Sequence, residues 1–128
     1  MSLDKMIFVA ELSDNLLNLL GIQTQNFKIY RSKGLLAHLL KRKHYTAAKY
    51  LDYLPEIINN PDYAGITAGQ IELVKCFKDN IFLSIKLDQT KSIYYIATVF
   101  DVKKSKIDSY CRSGRLGNLT NMQILCNN

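Results

Sequence analysis

The two histidines of this chain, His38 and His44, stand six residues apart inside its densest run of positive charge. Between Lys28 and Lys49 lie seven basic residues, Lys28, Arg31, Lys33, Lys41, Arg42, Lys43 and Lys49, and no acid. Imidazole is the side chain whose protonation changes near neutral pH, so a pair of them can divide the roles of base and acid. Breaking an RNA chain without a metal asks for that pair. A base serves the attacking 2′-hydroxyl, an acid serves the leaving 5′-oxygen, and cations face the charge that grows on phosphorus. His38, His44, Lys41 and Arg42 make up this inventory, and Lys33 and Lys43 add to the field around it.

Each of these residues has an ordinary reading as well. A histidine is often a solvated or core side chain, and a charge run is often a solvated face. Eight tyrosines, Tyr63 and Tyr95 among them, offer rings on which bases can stack, but tyrosines in a sheet mostly pack. Lys75, Arg112, Arg115 and Glu72 are charged residues on a strand or the tail, of the kind that solvent usually claims.

Composition narrows the field. A formal charge of +6 and a pI near 9.2 favour a polyanionic partner, RNA before an anionic membrane surface. No GxxxxGK[ST] loop, GxGxxG turn, HExxH helix or paired-carboxylate motif occurs, which leaves nucleotide hydrolysis, dinucleotide redox and zinc proteolysis without support. Cys76, Cys111 and Cys126 form neither a CxxC pair nor an even set, so reduced thiols are expected. No clustered carboxylate or thiolate set suggests a metal, and no cofactor is expected. With no leader and no apolar run near the roughly 20 residues that span a bilayer, the sequence reads as a cytoplasmic protein of one domain, residues 1–128.

The elements that must position the histidines follow from period and punctuation. Ile7, Phe8 and Val9 suit a short strand, and Ser13 or Asp14 can cap a helix carrying Leu16, Leu17, Leu19 and Leu20 up to Gly21. Residues 27–30 alternate like an edge strand. Ser32 can cap a central helix from Lys33, in which Leu35, Leu36, Leu39 and Leu40 form one buried stripe and His38, Lys41 and Arg42 share another face. Residues 46–60 read as two short helices or one kinked at Pro55, and residues 59–65 as a turn-rich connection. From residue 70 the period changes to alternation: residues 71–75, 81–87 and 93–99 predict an antiparallel meander, with Ile81, Leu83, Ile85 and Leu87 facing the helices. Residues 88–91 are its second short loop, and a basic amphipathic segment occupies residues 103–112. The expected fold is α+β, amino-terminal helices packed on a three- to four-stranded antiparallel sheet.

Several motifs carry a resemblance. The run S-K-G-L-L-A-H-L-L-K-R-K-H (residues 32–44), then I-I-N-N-P-D-Y (57–63), I-E-L-V-K (71–75), D-N-I (79–81) and Y-Y-I-A-T (94–98) resemble the phage-associated branch of barnase/EndoU/colicin/RelE-like nucleases. The resemblance spans residues 27–116 and leaves residues 1–26 as an amino-terminal extension. It implies the same helices-on-sheet fold, metal-independent RNA cleavage, and an origin in phage or mobile elements, where a toxin or effector role and a protein inhibitor are possible. Carried over by position, it implies His38 and His44 as acid and base, Lys41 and Arg42 as the cations between them, Asp62 in the N-P-D turn, and Thr98 as a phosphate-positioning hydroxyl. Asp62 has a bland reading too, as the brace of its loop. The resulting expectation is an endoribonuclease that cleaves single-stranded RNA. The competing class is a nucleic-acid- or protein-binding module with no turnover on the same fold.

Overall fold

Residues 81–85 have no side to show to water: Ile81, Phe82, Leu83, Ser84 and Ile85 are all buried. A strand of that kind belongs in the middle of a sheet that is covered on both faces. In the computed structural model, which describes residues 5–23, 27–88 and 93–119, this is where it lies.

The chain runs β1 (Met6–Glu11), α1 (Asp14–Leu19), β2 (Lys28–Ser32), α2 (Leu35–Lys41), α3 (Tyr45–Ala48), a 3₁₀ turn (Leu51–Tyr53) and α4 (Leu54–Asn59). It continues through β3 (Tyr63–Thr67), β4 (Gln70–Cys76), β5 (Asn80–Asp88), β6 (Ile93–Asp101), α5 (Lys104–Arg112) and β7 (Gly117–Asn118). The strands form one seven-stranded sheet in the order β1-β2-β6-β5-β4-β3-β7. Every pairing is antiparallel except β2 with β6, which is parallel. The class is α+β, but the expectation of helices on a three- to four-stranded antiparallel sheet is corrected to a seven-stranded mixed sheet.

The extra strands come from places where the local signal is weak. Residues 59–65 carry Asn, Pro, Asp and Gly and read as a connection, yet β3 begins inside them at Tyr63 and pairs with β4 from Tyr63↔Val74 to Thr67↔Gln70. The two-residue turn between them is Ala68 (φ 51°) and Gly69 (φ 76°), the doubly positive geometry of a tight hairpin, and alanine at its first position gives no hairpin signal. β1 and β2 are six and five residues long and become strands by pairing with each other and with β6. The loop expected at residues 88–91 lies mostly outside the described residues, as does Cys126.

The main core joins Leu16 and Leu17 of α1, Leu35 and Leu39 of α2, and Ile57 and Ile58 of α4 to Leu73, Ile81, Leu83, Ile85 and Ile96 of the sheet. The four-leucine stripe is half right. Leu35 and Leu39 are buried, but Leu36 and Leu40 are each 45% exposed. One turn of about 100° per residue separates the two pairs, and α2 meets the sheet along a single line. Leu87, expected in the core, is also 45% exposed.

A second, smaller core covers the opposite face, where Val74 and Phe82 meet Val102, Ile107, Leu116 and the ring of Tyr63. Glu72 lies on this side at 4% exposure, and Arg115 reaches it with Nε–Oε1 and Nη2–Oε2 hydrogen bonds of 2.7 and 2.6 Å. The guanidinium stacks 4.2 Å above the Tyr110 ring. Gly65 lets this segment close on β3, since a Cβ there would overlap the backbone carbonyl of Arg115.

Three helices end alike. In α1, Gly21 (φ 75°) follows the C-cap and Ile22 N–H reaches Leu17 O at 2.8 Å; in α5, Gly114 (φ 81°) does the same and Arg115 N–H reaches Tyr110 O at 2.9 Å. In α2 the left-handed residue is Lys43 (φ 62°), and His44 N–H reaches Leu39 O at 2.8 Å. This is the helix-terminating motif that glycine usually serves. A side chain there costs about 1–2 kcal/mol of backbone strain, part of which glycine would lose again through unfolded-state entropy. Lys43→Gly is therefore expected to raise the unfolding free energy by about 0.5–1 kcal/mol in urea titrations. Arg115→Ala should act in the other direction. It strips a buried carboxylate of its partner, and a loss of about 3 kcal/mol is expected in the same titration, at the low end for buried pairs because the arginine is partly exposed.

Candidate functional site

β2 and β6 run side by side for only two registered pairs, Ile29↔Tyr94 and Tyr30↔Tyr95. Beyond them β2 turns away into α2 while β6 continues, and a cleft of about 490 Å³ opens between the two paths. Parting strands of a parallel pair leave room for a ligand at their carboxyl ends. The polar lining here is Ser32, His38, Lys86, Tyr95 and Thr98, and Met6, Leu35 and Ile96 supply apolar wall.

The alignment of this lining depends on an irregularity in β6. Ser84 pairs with Thr98 and Ile85 with Ile96, so Ala97 is an extra residue on one strand. A bulge of this type re-aims the side chains on either side of it. Regular alternation would place Tyr95 and Thr98 on opposite faces. With Ala97 inserted, Lys86↔Tyr95 and Ser84↔Thr98 form successive rows on one side of β5 and β6, while Ile85↔Ile96 and Leu83↔Val99 face the main core.

His38 enters from α2. The helix is capped at Gly34, not at Ser32 as the sequence suggests; the Ser32 hydroxyl accepts the Gly34 N–H at 3.1 Å and so shapes the turn before the helix. His38 donates its backbone N–H to Gly34 O at 2.9 Å and accepts Arg42 N–H at 3.0 Å, which fixes its place one turn in. Its side chain falls beside the buried line of Leu35 and Leu39 and is exposed towards the cleft.

The sequence-chosen residues are distributed as follows. His38, Thr98 and Tyr95 come together in the cleft. Lys41 and Arg42 are exposed at the end of α2, three and four positions beyond His38, and Lys33 is exposed before its start. His44 is exposed at the cap between α2 and α3 and is not part of the cleft lining. Lys43 is exposed beside it.

The N-P-D-Y segment lies at the other end of the sheet. Asp62 Oδ2 accepts Cys76 N–H at 2.7 Å, Asp62 Oδ1 lies 3.6 Å from Lys75 Nζ, and its backbone bonds Val74 and Leu119. Tyr63 is buried, with Lys104 Nζ donating to its hydroxyl at 3.0 Å. That bond, with a second that Lys104 donates to Asp108, raises the Lys104 pKa above the usual lysine range. Arg115 is held by Glu72, and this hydrogen bonding is the first cause of its raised pKa. Arg112 is exposed on the last turn of α5. Cys76 and Cys111 are free thiols, and burial first, then the Asp62 charge, pushes Cys76 up.

Two lining residues have no role in the sequence reading, Ser32 as a cleft hydroxyl and Lys86. A lysine on a strand ordinarily reads as a solvated residue. The usable signal is position: Lys86 ends the buried run of residues 81–85 with a cation on the same strand face as Ser84, not with another apolar residue. Among the described residues no group of three or more His, Cys, Asp and Glu side chains is placed to hold a metal ion, and no helix is long and apolar enough to cross a membrane.

Among the described residues the cleft is lined by one histidine, one lysine and three hydroxyl-bearing side chains and by no carboxylate, a lining that accepts an anion. No curated protein and no solved structure matches the chain. Residues 7–109, which take in α1 and every cleft-lining residue but Met6, match the family model described as phage-Barnase-EndoU-ColicinE5/D-RelE like nuclease3. On that match, over most of its length, the chain belongs to the phage-associated barnase/EndoU/colicin/RelE-like nucleases, whose substrate is nucleic acid.

Proposed function

We propose that the protein is a metal-independent endoribonuclease that cleaves single-stranded RNA by attack of the 2′-hydroxyl on the adjacent phosphodiester. The observation that carries the proposal is the meeting of His38 and Thr98 in a cleft lined, among the described residues, by a cation and by no carboxylate. His38 takes the 2′-hydroxyl proton, Thr98 donates a hydrogen bond to a phosphate oxygen, and the leaving 5′-oxygen takes a proton from water in the open cleft. Lys33, Lys41, Arg42 and Lys43 hold the flanking phosphates around both ends of α2. The proposal departs from the sequence reading at His44: its side chain lies outside the cleft lining, and it joins the phosphate-binding group. The phage context of the family supports an effector role against the RNA of a bacterial host.

The decisive assay is cleavage of mixed-sequence RNA in EDTA. Wild type is expected to leave 2′,3′-cyclic phosphate ends, identified by mass. His38→Ala should lose about 10²–10⁴ in kcat with KM little changed, because proton transfer belongs to the transition state. His44→Ala should lose less than about one tenth of that effect on the same basis. Wild type that binds RNA without cutting it would replace the enzyme by a binding module.

Binding itself should be salt-dependent. Single-strand affinity falls by about 0.7 log units per contacted phosphate for each log unit of salt. Replacing Lys41, Arg42 and Lys43 together by alanine is expected to reduce that slope by about 2, measured by fluorescence anisotropy with a 2′-O-methyl oligonucleotide that cannot be cut. An unchanged slope would place the RNA elsewhere.

A further inference from the structure

We propose that Lys86, which lines the same cleft as His38, is the residue that holds the scissile phosphate there, and so is a catalytic residue. The assignment rests on the ribonuclease reading above and deepens it by naming the cation at the reacting atoms.

Among the described residues Lys86 is the only lysine or arginine in the cleft lining, whereas Lys41 and Arg42 stand outside it. Lysines that serve the fold of this protein have partners: Lys75 pairs with Asp62, and Lys104 with Asp108 and Tyr63. Among the described residues Lys86 has no side-chain hydrogen bond or ion pair, and it is exposed at the cleft. Its register places it across from Tyr95 and one row from Ser84↔Thr98, so the bulge at Ala97 aligns ammonium, phenol and hydroxyl. Ser32 already accepts the Gly34 N–H, which leaves its own hydroxyl hydrogen free to donate. An ammonium flanked by hydroxyl donors is a receptor for phosphate oxygens, and charge-assisted bonds of this kind are roughly twice as strong as neutral ones.

In the step, the 2′-oxygen bonds to phosphorus while its proton passes to His38. The bond from phosphorus to the 5′-oxygen breaks, its electron pair leaves with that oxygen, and water protonates it. The hydroxide left by that water takes the proton back from His38. The non-bridging oxygens gain charge as the five-coordinate phosphorus forms, and the Lys86 ammonium faces them without exchanging a proton. The products are a 2′,3′-cyclic phosphate and a 5′-hydroxyl.

The test measures kcat and KM on a short RNA in EDTA for wild type, Lys86→Ala, Lys86→Arg, His38→Ala and, as control, Leu87→Ala at the neighbouring exposed position. Lys86→Ala is expected to lose about 10²-fold in kcat with KM nearly unchanged, Lys86→Arg to recover a large part, and Leu87→Ala to behave as wild type. Wild type should also discriminate between the two phosphorothioate diastereomers at the cleaved position, and Lys86→Ala should lose that discrimination, which a merely structural role would not change. Lys86→Ala turning over at the wild-type rate while His38→Ala is inactive overturns the assignment and leaves the ribonuclease reading standing. If wild type cuts no RNA, that reading falls and titration with inorganic phosphate, followed at the His38 imidazole by NMR, decides Lys86 alone. Saturable shifts that weaken by about tenfold in Lys86→Ala support it; equal binding, or none in wild type, overturns it.

Discussion

Two parallel residue pairs hold this molecule in its shape. Ile29 and Tyr30 of β2 lie against Tyr94 and Tyr95 of β6, and this is the seam by which the amino-terminal hairpin joins the antiparallel meander of β3 to β6. Ile29 is fully buried there, and Phe27 stacks on Tyr94 with ring centroids 3.6 Å apart. Apolar and aromatic burial carries a seam whose ladder is too short to be held by hydrogen bonds alone. Its brevity also opens the cleft. Because β2 leaves after Tyr30, the next residues of β6 face a cleft instead of a strand.

The bulge in β6 and the narrow contact of α2 complete the site from opposite sides. An extra residue at Ala97 sets Tyr95 and Thr98 beside Lys86, and burial of only Leu35 and Leu39 leaves the rest of α2 free to present His38 and the basic residues after it. Lys43 accepts a backbone conformation that glycine serves at the ends of α1 and α5. In α2 that position carries positive charge beside Arg42 and His44, so strain falls where the basic block is densest.

Several residues with chemical potential are used to hold the fold. Asp62 closes the turn before β3 by accepting the Cys76 N–H and pairing with Lys75, and Tyr63 is buried beneath Lys104. Glu72 and Arg115 satisfy each other across the second core, where an unpaired carboxylate at 4% exposure would be costly. The Asp62 and Tyr63 side chains of the N-P-D-Y run thus brace the fold. The run stands at the far end of the sheet order from β2 and β6, between which the cleft opens.

The sequence by itself determined what short-range chemistry can encode: the Ser13 cap of α1, the helical segments before residue 60, the alternation of β4, β5 and β6, the concentration of charge between Lys28 and Lys49, and the family. It also singled out His38, Thr98 and Tyr95, which line one cleft. It did not reveal the seven-stranded mixed sheet: β1 and β2 showed only as short strand-like segments, β3 and β7 lay hidden among turn formers, and pairing along the sheet gives all four their places. Nor did it show which leucines of α2 face inward, because the 3.6-residue period admits both Leu35 with Leu39 and Leu36 with Leu40, and only the line of contact with the sheet chooses. Lys86 joined His38 for the same kind of reason. They are distant in sequence, and only the parting of β2 from β6 and the register of a bulged ladder put them in one cleft.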